Sequence, residues 1–361
     1  MVNHKISEYL KDYLIIGHGL AGAVLSQQLL EKQQQITVLD LPTSNHSSSV
    51  AAGLYNPVTG RKMVKTWMAD ELFPVIEPFY RQLEQHLNSS FLLDIGIYRP
   101  FVSFEEQNDW DAKQSDDKYT PFIKSIRKKN LDSVSLHDPF GGIHLNHAGF
   151  VKIPQLLRAS RAALIQAHVC EEKYFDQSQL KIKSDHITYE NIAYRRLIFC
   201  NGIEALQTEL FGWLPMHPVK GEILKAKMGK KITTILNRGV FILPLDHEHV
   251  RIGSNYQNHF DNILPTEKGK EEILQRLNGV LNEPVTIVDS TAGVRPATKD
   301  RRPIIGKHPE YEHIYIFNGF GSKGVSLIPY FSKQFMTYLE TENGLIHDVN
   351  VSRYYKAYNS R

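Results

Sequence analysis

Two glycine turns of the same spelling constrain this chain more than any other feature. Gly17-His18-Gly19-Leu20-Ala21-Gly22 follows the apolar run Tyr13-Leu14-Ile15-Ile16. Gly319-Phe320-Gly321-Ser322-Lys323-Gly324 follows Ile314-Tyr315-Ile316-Phe317, about 300 residues later. Each precedes a stretch with helical spacing. One G-x-G-x-x-G between a strand and a helix is a weak sign of a nucleotide site. Two in one chain suggest a single long ligand held by two helix N-termini, where free amides and the helix dipole favour phosphate. A two-ended dinucleotide such as FAD meets that demand.

The surroundings of the first turn strengthen this reading. A helix carrying Ala21, Val24, Leu25 and Leu29 on one face follows it, then a second strand, Ile36 to Leu39, ending at Asp40. Alone, Asp40 also reads as a turn-capping acid. About 20 residues beyond the glycines and at a strand end, it reads as the acceptor of a ribose diol. Residues 42–61 are rich in Ser, Ala, Gly and Pro, and the small Ala51-Ala52-Gly53 stretch permits close backbone approach to a flat ligand.

Composition narrows the class. Among 361 residues, 42% are hydrophobic and 22% charged, as in ordinary globular proteins. A net charge of +3 is too small to argue for a nucleic-acid partner, and the longest basic block, Arg127 to Lys129, reads as a solvated turn. Two cysteines, Cys170 and Cys200, imply no disulfide framework and suit a reducing cytoplasm. Residues 1–12 are polar and do not read as a secretion signal, and no apolar run reaches the roughly 18 residues of a membrane span. His144 with His147, and His247 with His249, lack a third ligand at helical spacing, so no metal site is expected.

Helices are expected over 68–88, from about Pro154, after Thr266 as cap, and from Val325 to Leu339. Strands are expected at 95–100, 197–199, 219–224, 240–245 and 250–252, with a charged, irregular stretch from Glu105 to Lys129. The alternation predicts an α/β chain: a Rossmann-like FAD-binding domain with a second, mainly antiparallel-sheet substrate domain. The first would comprise 1–88, 145–215 and 287–361, the second 89–144 and 216–286.

Beyond the glycine turns and the Ala51 loop, several further blocks carry a resemblance. They are Gly149-Phe150-Val151-Lys152-Ile153-Pro154, Cys200-Asn201-Gly202, His217 to Glu222, Ile252-Gly253-Ser254-Asn255, Gly293-Val294-Arg295-Pro296 and Pro303-Ile304-Ile305-Gly306. In this order the chain resembles the D-amino-acid oxidase/glycine oxidase (DAO) family of FAD-dependent oxidoreductases, nearly end to end. The resemblance implies noncovalent FAD, oxidation of a C–N bond in a small amine or amino acid, hydrolysis of the resulting imine, and oxygen or a quinone as electron acceptor. It implies cofactor contacts from Gly17, Gly19, Leu20, Ala21, Gly22, Asp40, Ala51, Ala52, Gly53, Asn201, Gly202 and Gly293. The same role is implied for Gly319, Phe320, Gly321, Ser322, Lys323 and Gly324.

By the same resemblance Arg295 binds a substrate carboxylate; read alone, it also suits a structural pair with an acid such as Asp300. No catalytic nucleophile is required. Several positions depart from the family pattern. Phe241 stands where an aromatic hydroxyl is common, Ser322 where glycine oxidase has a second arginine, and Arg301-Arg302 where a glycine is usual. Tyr55, Arg61 and Lys62 extend the cofactor loop and are candidates to line a site for a larger or more anionic substrate. Two alternatives remain at this stage: an oxidase acting on a modified tRNA aminomethyl-uridine, and a flavin-binding protein without catalysis.

Overall fold

The computed structural model describes residues 10–42, 47–128 and 136–360. The polar start of the chain up to Glu8 and Tyr9, residues 43–46 of the long loop, and Lys129 of the basic block lie outside that range.

Most of the chain is organised around two eight-stranded sheets. In the first, the strand Ile192–Phe199 runs parallel to Leu10–Ile16 on one side and to Ile314–Asn318 on the other. Ile36–Leu39 and Cys170–Glu171 extend the Leu10–Ile16 side in parallel. Ile187–Tyr189 and Leu180–Ile182 form an antiparallel extension, and Ile304–Lys307 pairs antiparallel with Ile314–Asn318. The parallel strands read as continuous apolar runs because helices and loops cover both faces. The helices Leu20–Glu31, Ala69–His86, Ile153–Gln166 and Gly324–Thr341 pack one face into a single apolar core. Residues 205–216 and the C-terminal segment cover the other.

The helix Leu20–Glu31 is buried on more than its predicted face: Gly22, Ala23, Ser26 and Gln27 are buried with Val24, Leu25 and Leu29. Its polar members need internal partners for that reason. The Gln27 amide and the His18 ring both meet Ser160 Oγ, at 3.0 and 2.9 Å.

The second sheet is antiparallel but for one parallel pairing, Ile235–Arg238 with Ile97–Pro100. Its strands run, side by side, 285–295, 219–228, 249–253, 240–244, 235–238, 97–100, 142–145 and 123–127. The segment Val285–Arg295 belongs here, pairing along its length with Val219–Met228, so the expected boundary at 287 falls inside a strand of this sheet. The stretch expected to be irregular holds a helix, Phe104–Lys113, with Ser103 as N-cap accepting the Glu106 N–H at 3.1 Å. Its only buried residues are Gln107 and Trp110, too few to give the apolar period that marks a helix in sequence. Thr266 caps the helix Glu267–Asn278 as expected, accepting the Gly269 N–H at 3.0 Å. That helix covers one face of the second sheet, and the other turns toward the first domain.

Candidate active site

Three turns leave the same edge of the first sheet. Ile192–Phe199 lies between the two strands that feed the glycine turns, so those turns sit two strand spacings apart, about 10 Å, with Asn201-Gly202 between them. Segments 300 residues apart in sequence thus share one end of one sheet, the usual place for a ligand in an open parallel sheet.

The first turn is built by close approach. Gly17 takes φ +94°, and a Cβ there would lie 2.7 Å from Asn201 Cα. A Cβ on Gly22 would overlap the Gly17 carbonyl oxygen, so the helix is drawn directly onto the strand end. Gly19 is the N-cap and the first helical turn carries no acid, leaving its positive end uncompensated. Ser48 Oγ accepts the Leu20 N–H at 3.0 Å.

Asp40 is buried at the end of its strand. One carboxylate oxygen accepts the His18 N–H at 2.8 Å, and the other pairs with Arg161 from the helix Ile153–Gln166. Asp40, Gly17, Asn201, Tyr174, Phe175 and Thr208 line a cavity of about 480 Å³. Asn201 Oδ1 is buried and has no hydrogen-bond partner among the described residues.

The second turn uses its glycines differently. Gly319 and Gly321 take φ +75° and +55°, and the Gly321 N–H reaches the Pro296 carbonyl at 3.2 Å. Asn318 Nδ2 donates to the Gly202 carbonyl at 2.8 Å, tying this turn to the middle one. Phe320 is buried against Phe317, whereas Ser322 is exposed. Lys323 is the N-cap of Gly324–Thr341, whose first turn also lacks an acid. Burial, then Arg302 and Arg301, lower the Lys323 pKa from its usual lysine value. Arg301 takes a left-handed backbone, φ +58°, a conformation that favours glycine. The Arg302 guanidinium lies 4.0 Å over the Trp67 ring.

The second sheet supplies the opposite wall. A Cβ on Gly293 would overlap the Val50 side chain, so that side chain packs directly onto the Gly293 backbone. Arg251 Nη1 donates to the Ala51 carbonyl at 3.0 Å. Gly53 takes φ +73°, and a Cβ there would overlap the Val151 carbonyl.

On the same sheet face, the Arg295 guanidinium lies flat over Gly221, where any Cβ would occupy its position. Arg295 Nη2 donates to Ser254 Oγ at 2.8 Å, and the Tyr256 ring lies 4.4 Å away. Among the described residues, Arg295 Nη1 is buried without a hydrogen-bond partner. Burial lowers the Arg295 pKa from the usual arginine value. A buried guanidinium with an open donor is costly unless an anion completes it. The alternative pairing with Asp300 is absent: that carboxylate engages Arg353 Nε at 3.2 Å and the Tyr354 hydroxyl at 2.9 Å. Phe241, buried beside Ile223 and Gly253, adds an apolar wall.

Three expected substrate-side residues, Tyr55, Arg61 and Lys62, sit elsewhere. Tyr55 is a core residue, 2% exposed, with its hydroxyl 3.3 Å from Asp94 Oδ1. It alternates inward on the short strand Leu54–Tyr55 against Gly149, where a Cβ would lie 2.6 Å from its hydroxyl. Arg61 and Lys62 are exposed at the tip of the hairpin made by Val58–Thr59 and Val64–Lys65. Arg99, buried beneath, holds that hairpin through the Val58 and Gly60 carbonyls at 2.8 and 2.9 Å. Sequence reading attached no role to Ser48, Arg161, Gly221, Arg251, Ser254 or Tyr256. Only Gly221 and Ser254 carried any signal, by lying within the blocks that support the resemblance.

The residues present fit a two-ended dinucleotide. Two acid-free helix ends, a buried carboxylate and an open buried acceptor line one end of the sheet. Among the described residues no group of three or more His, Cys, Asp or Glu could hold a metal, and no helix is long and apolar enough to cross a membrane.

Comparison with known proteins agrees with this geometry. Residues 12–337 match the family model described as FAD dependent oxidoreductase. A glycine oxidase of Pseudomonas putida is 23% identical, the match covering 88% of this chain and 92% of that protein. The tRNA 5-methylaminomethyl-2-thiouridine biosynthesis bifunctional protein of Idiomarina loihiensis is 21% identical over 88% of this chain, which spans 54% of that protein's length. Among solved structures, iminodiacetate oxidase from a Chelativorans species superposes with a TM-score of 0.76 at 19% identity, over 92% of this chain and 96% of that one.

Proposed function

The chain belongs to the DAO family of FAD-dependent oxidoreductases, and on that premise we propose that it oxidises the C–N bond of a small amine bearing a carboxylate, of the N-carboxymethyl type. Glycine and iminodiacetate, named in two of its relatives, share that group. The observation that carries the reading is Arg295: a partly buried guanidinium whose buried Nη1 is left open, on the sheet face that meets the loop at Ala51. A planar fork suits a carboxylate better than a point charge does.

FAD, when bound, supplies the two-electron acceptor for this oxidation. The first glycine turn and Asp40 would hold its pyrophosphate and ribose, and the second turn with Lys323 would face the flavin. The chain's own contribution is placement. Arg295 fixes the carboxylate, and with it the direction of the adjacent C–H bond. Phe241 and Ile223 exclude water from the apolar side, which strengthens the arginine–carboxylate attraction. The amine must be neutral to react, and no side-chain nucleophile is assigned. Water hydrolyses the imine product.

The test is anaerobic bleaching of the flavin by a panel of glycine, sarcosine, iminodiacetate, proline and carboxylate-free amines. Bleaching confined to carboxylated amines supports the reading. Arg295→Ala should raise KM for such a substrate about 100-fold or more, as expected for losing a charge-assisted bidentate pair, with flavin content kept. Equal bleaching by carboxylate-free amines, or unchanged kinetics in the variant, removes Arg295 from the site. A second reading rests on the similarity to the tRNA-modifying protein, in which the amine is carried on a nucleoside. A salt-dependent shift of tRNA by the protein would favour it.

A further inference from the structure

The surroundings of Arg295 show how its selectivity is set. Its guanidinium is packed against two neighbours: a Cβ on Gly221 would overlap it, and its central carbon lies 4.4 Å from the centre of the Tyr256 ring. Ser254 Oγ occupies one Nη2 hydrogen, so an anion can approach only along the remaining in-plane edge, where Nη1 is open.

Tyr256 is 59% exposed, yet the backbone beside it is anchored on both sides. Asn255, fully buried, accepts the Glu222 N–H through its side chain at 2.7 Å. Gln257 exchanges backbone hydrogen bonds with Lys220 at 3.0 and 2.9 Å, and its amide donates to Glu222 Oε1 at 3.2 Å. Glu222 also accepts the Thr266 N–H at 3.1 Å and pairs with the buried Lys220 at 3.3 Å. Lys220 and Glu222 alternate to the far side of the strand from Gly221. A buried ion pair behind the sheet therefore fixes the segment that carries Ser254 and Tyr256 in front of it.

We propose that Tyr256 is a positioning and specificity residue: with Gly221 and Ser254 it holds the Arg295 plane edge-on and shields its outer face from water, which favours a monocarboxylate over neutral ligands. This rests on the reading of Arg295 as the carboxylate clamp. The aromatic face provides the contact, so the hydroxyl is dispensable.

The test uses purified holoprotein and needs no turnover. Acetate and acetamide are titrated separately while the flavin absorbance is followed, in wild type and in Tyr256→Ala, Tyr256→Phe and Ser254→Ala variants, with flavin-to-protein ratio as the check on folding. Tyr256→Ala should weaken acetate binding about 5–20-fold, in the range of a partly desolvated cation–π contact. Ser254→Ala should weaken it about 3–10-fold, as for one hydrogen bond to a charged group. Tyr256→Phe should stay within about twofold of wild type, and acetamide affinity should not change in any variant. Turnover of a carboxylated amine should show the loss in KM more than in kcat. Acetate binding within twofold of wild type in Tyr256→Ala overturns the proposal, as does an equal loss for acetamide. A wild-type protein that binds no acetate overturns the clamp itself, a result distinct from either.

Discussion

The two glycine turns share a spelling and an edge of the sheet, but they are built differently. In the first, the third glycine sits inside the helix and touches the backbone of the first, so strand and helix meet with no side chain between them. In the second, Gly324 opens its helix, and an added Cβ would meet only Ile328, Leu20 and Phe320 side chains at 3.4–3.7 Å, ordinary contact distances. Its required glycines are Gly319 and Gly321, which turn the chain with positive φ. The first turn is a packing device that draws the helix N-terminus onto the strand end. The second is a reversal that brings Lys323 and two arginines beside the strand end after Arg295. Identical letters therefore describe two mechanisms, distinguished by which glycine is crowded.

The comparison can be broken most sharply by alanine at the third glycine of each turn. Gly22→Ala should destabilise the protein by about 1–3 kcal/mol or more through overpacking and yield protein largely free of flavin. Gly324→Ala should retain full flavin content. Thermal unfolding and the flavin-to-protein ratio of both variants check this, and equal behaviour would erase the distinction.

A smaller effect is expected from Asp40→Ala, which removes the carboxylate that lines the cavity of about 480 Å³ and leaves Arg161 paired only with Glu172 among the carboxylates it now meets. FAD affinity measured by dialysis and rebinding should fall about 10–100-fold, the worth of hydrogen bonds to a charged group. A fully loaded variant with wild-type affinity would contradict the ribose role.

The smallest prediction concerns acid. His308, 2% exposed, lies beside the strand that feeds the second turn, and burial holds its pKa down at about 4. Its Nε2 reaches the Leu210 carbonyl at 3.0 Å, so it is the protonated nitrogen, and Nδ1 accepts the Glu310 N–H at 3.1 Å. A base with a folded pKa below its unfolded value near 6.5 stabilises fully above that value and progressively less as pH falls toward 4. Amide protection, taken relative to the intrinsic exchange rate at each pH, should therefore fall around 304–318 before it falls around 10–40 when pH drops through that window. The reverse order would show that the second turn is no more acid-sensitive than the first.

Much of this was legible in the residues. The strands and helix around Gly17 follow from unbroken apolar runs and a glycine spacing that few other structures require. The pairing of both turns with one central strand was not legible, because register between segments 300 residues apart leaves no local trace. The block around Gly293 singles out Arg295 in the sequence, but nothing singles out its neighbours: Tyr256 lies in a polar loop, and a stacking aromatic looks like any exposed one. Tyr55 misled in the opposite sense. It stands beside cofactor-loop residues in sequence, and strand alternation turned it into the core.

The contact of Gly293 with Val50, reinforced by Arg251 on the Ala51 carbonyl, joins the second sheet to the segment 47–53 that follows the second strand of the first sheet. Halves riveted at that point have little freedom to melt in turn. Heating should therefore produce one calorimetric transition for the whole molecule, its midpoint set by the weaker half.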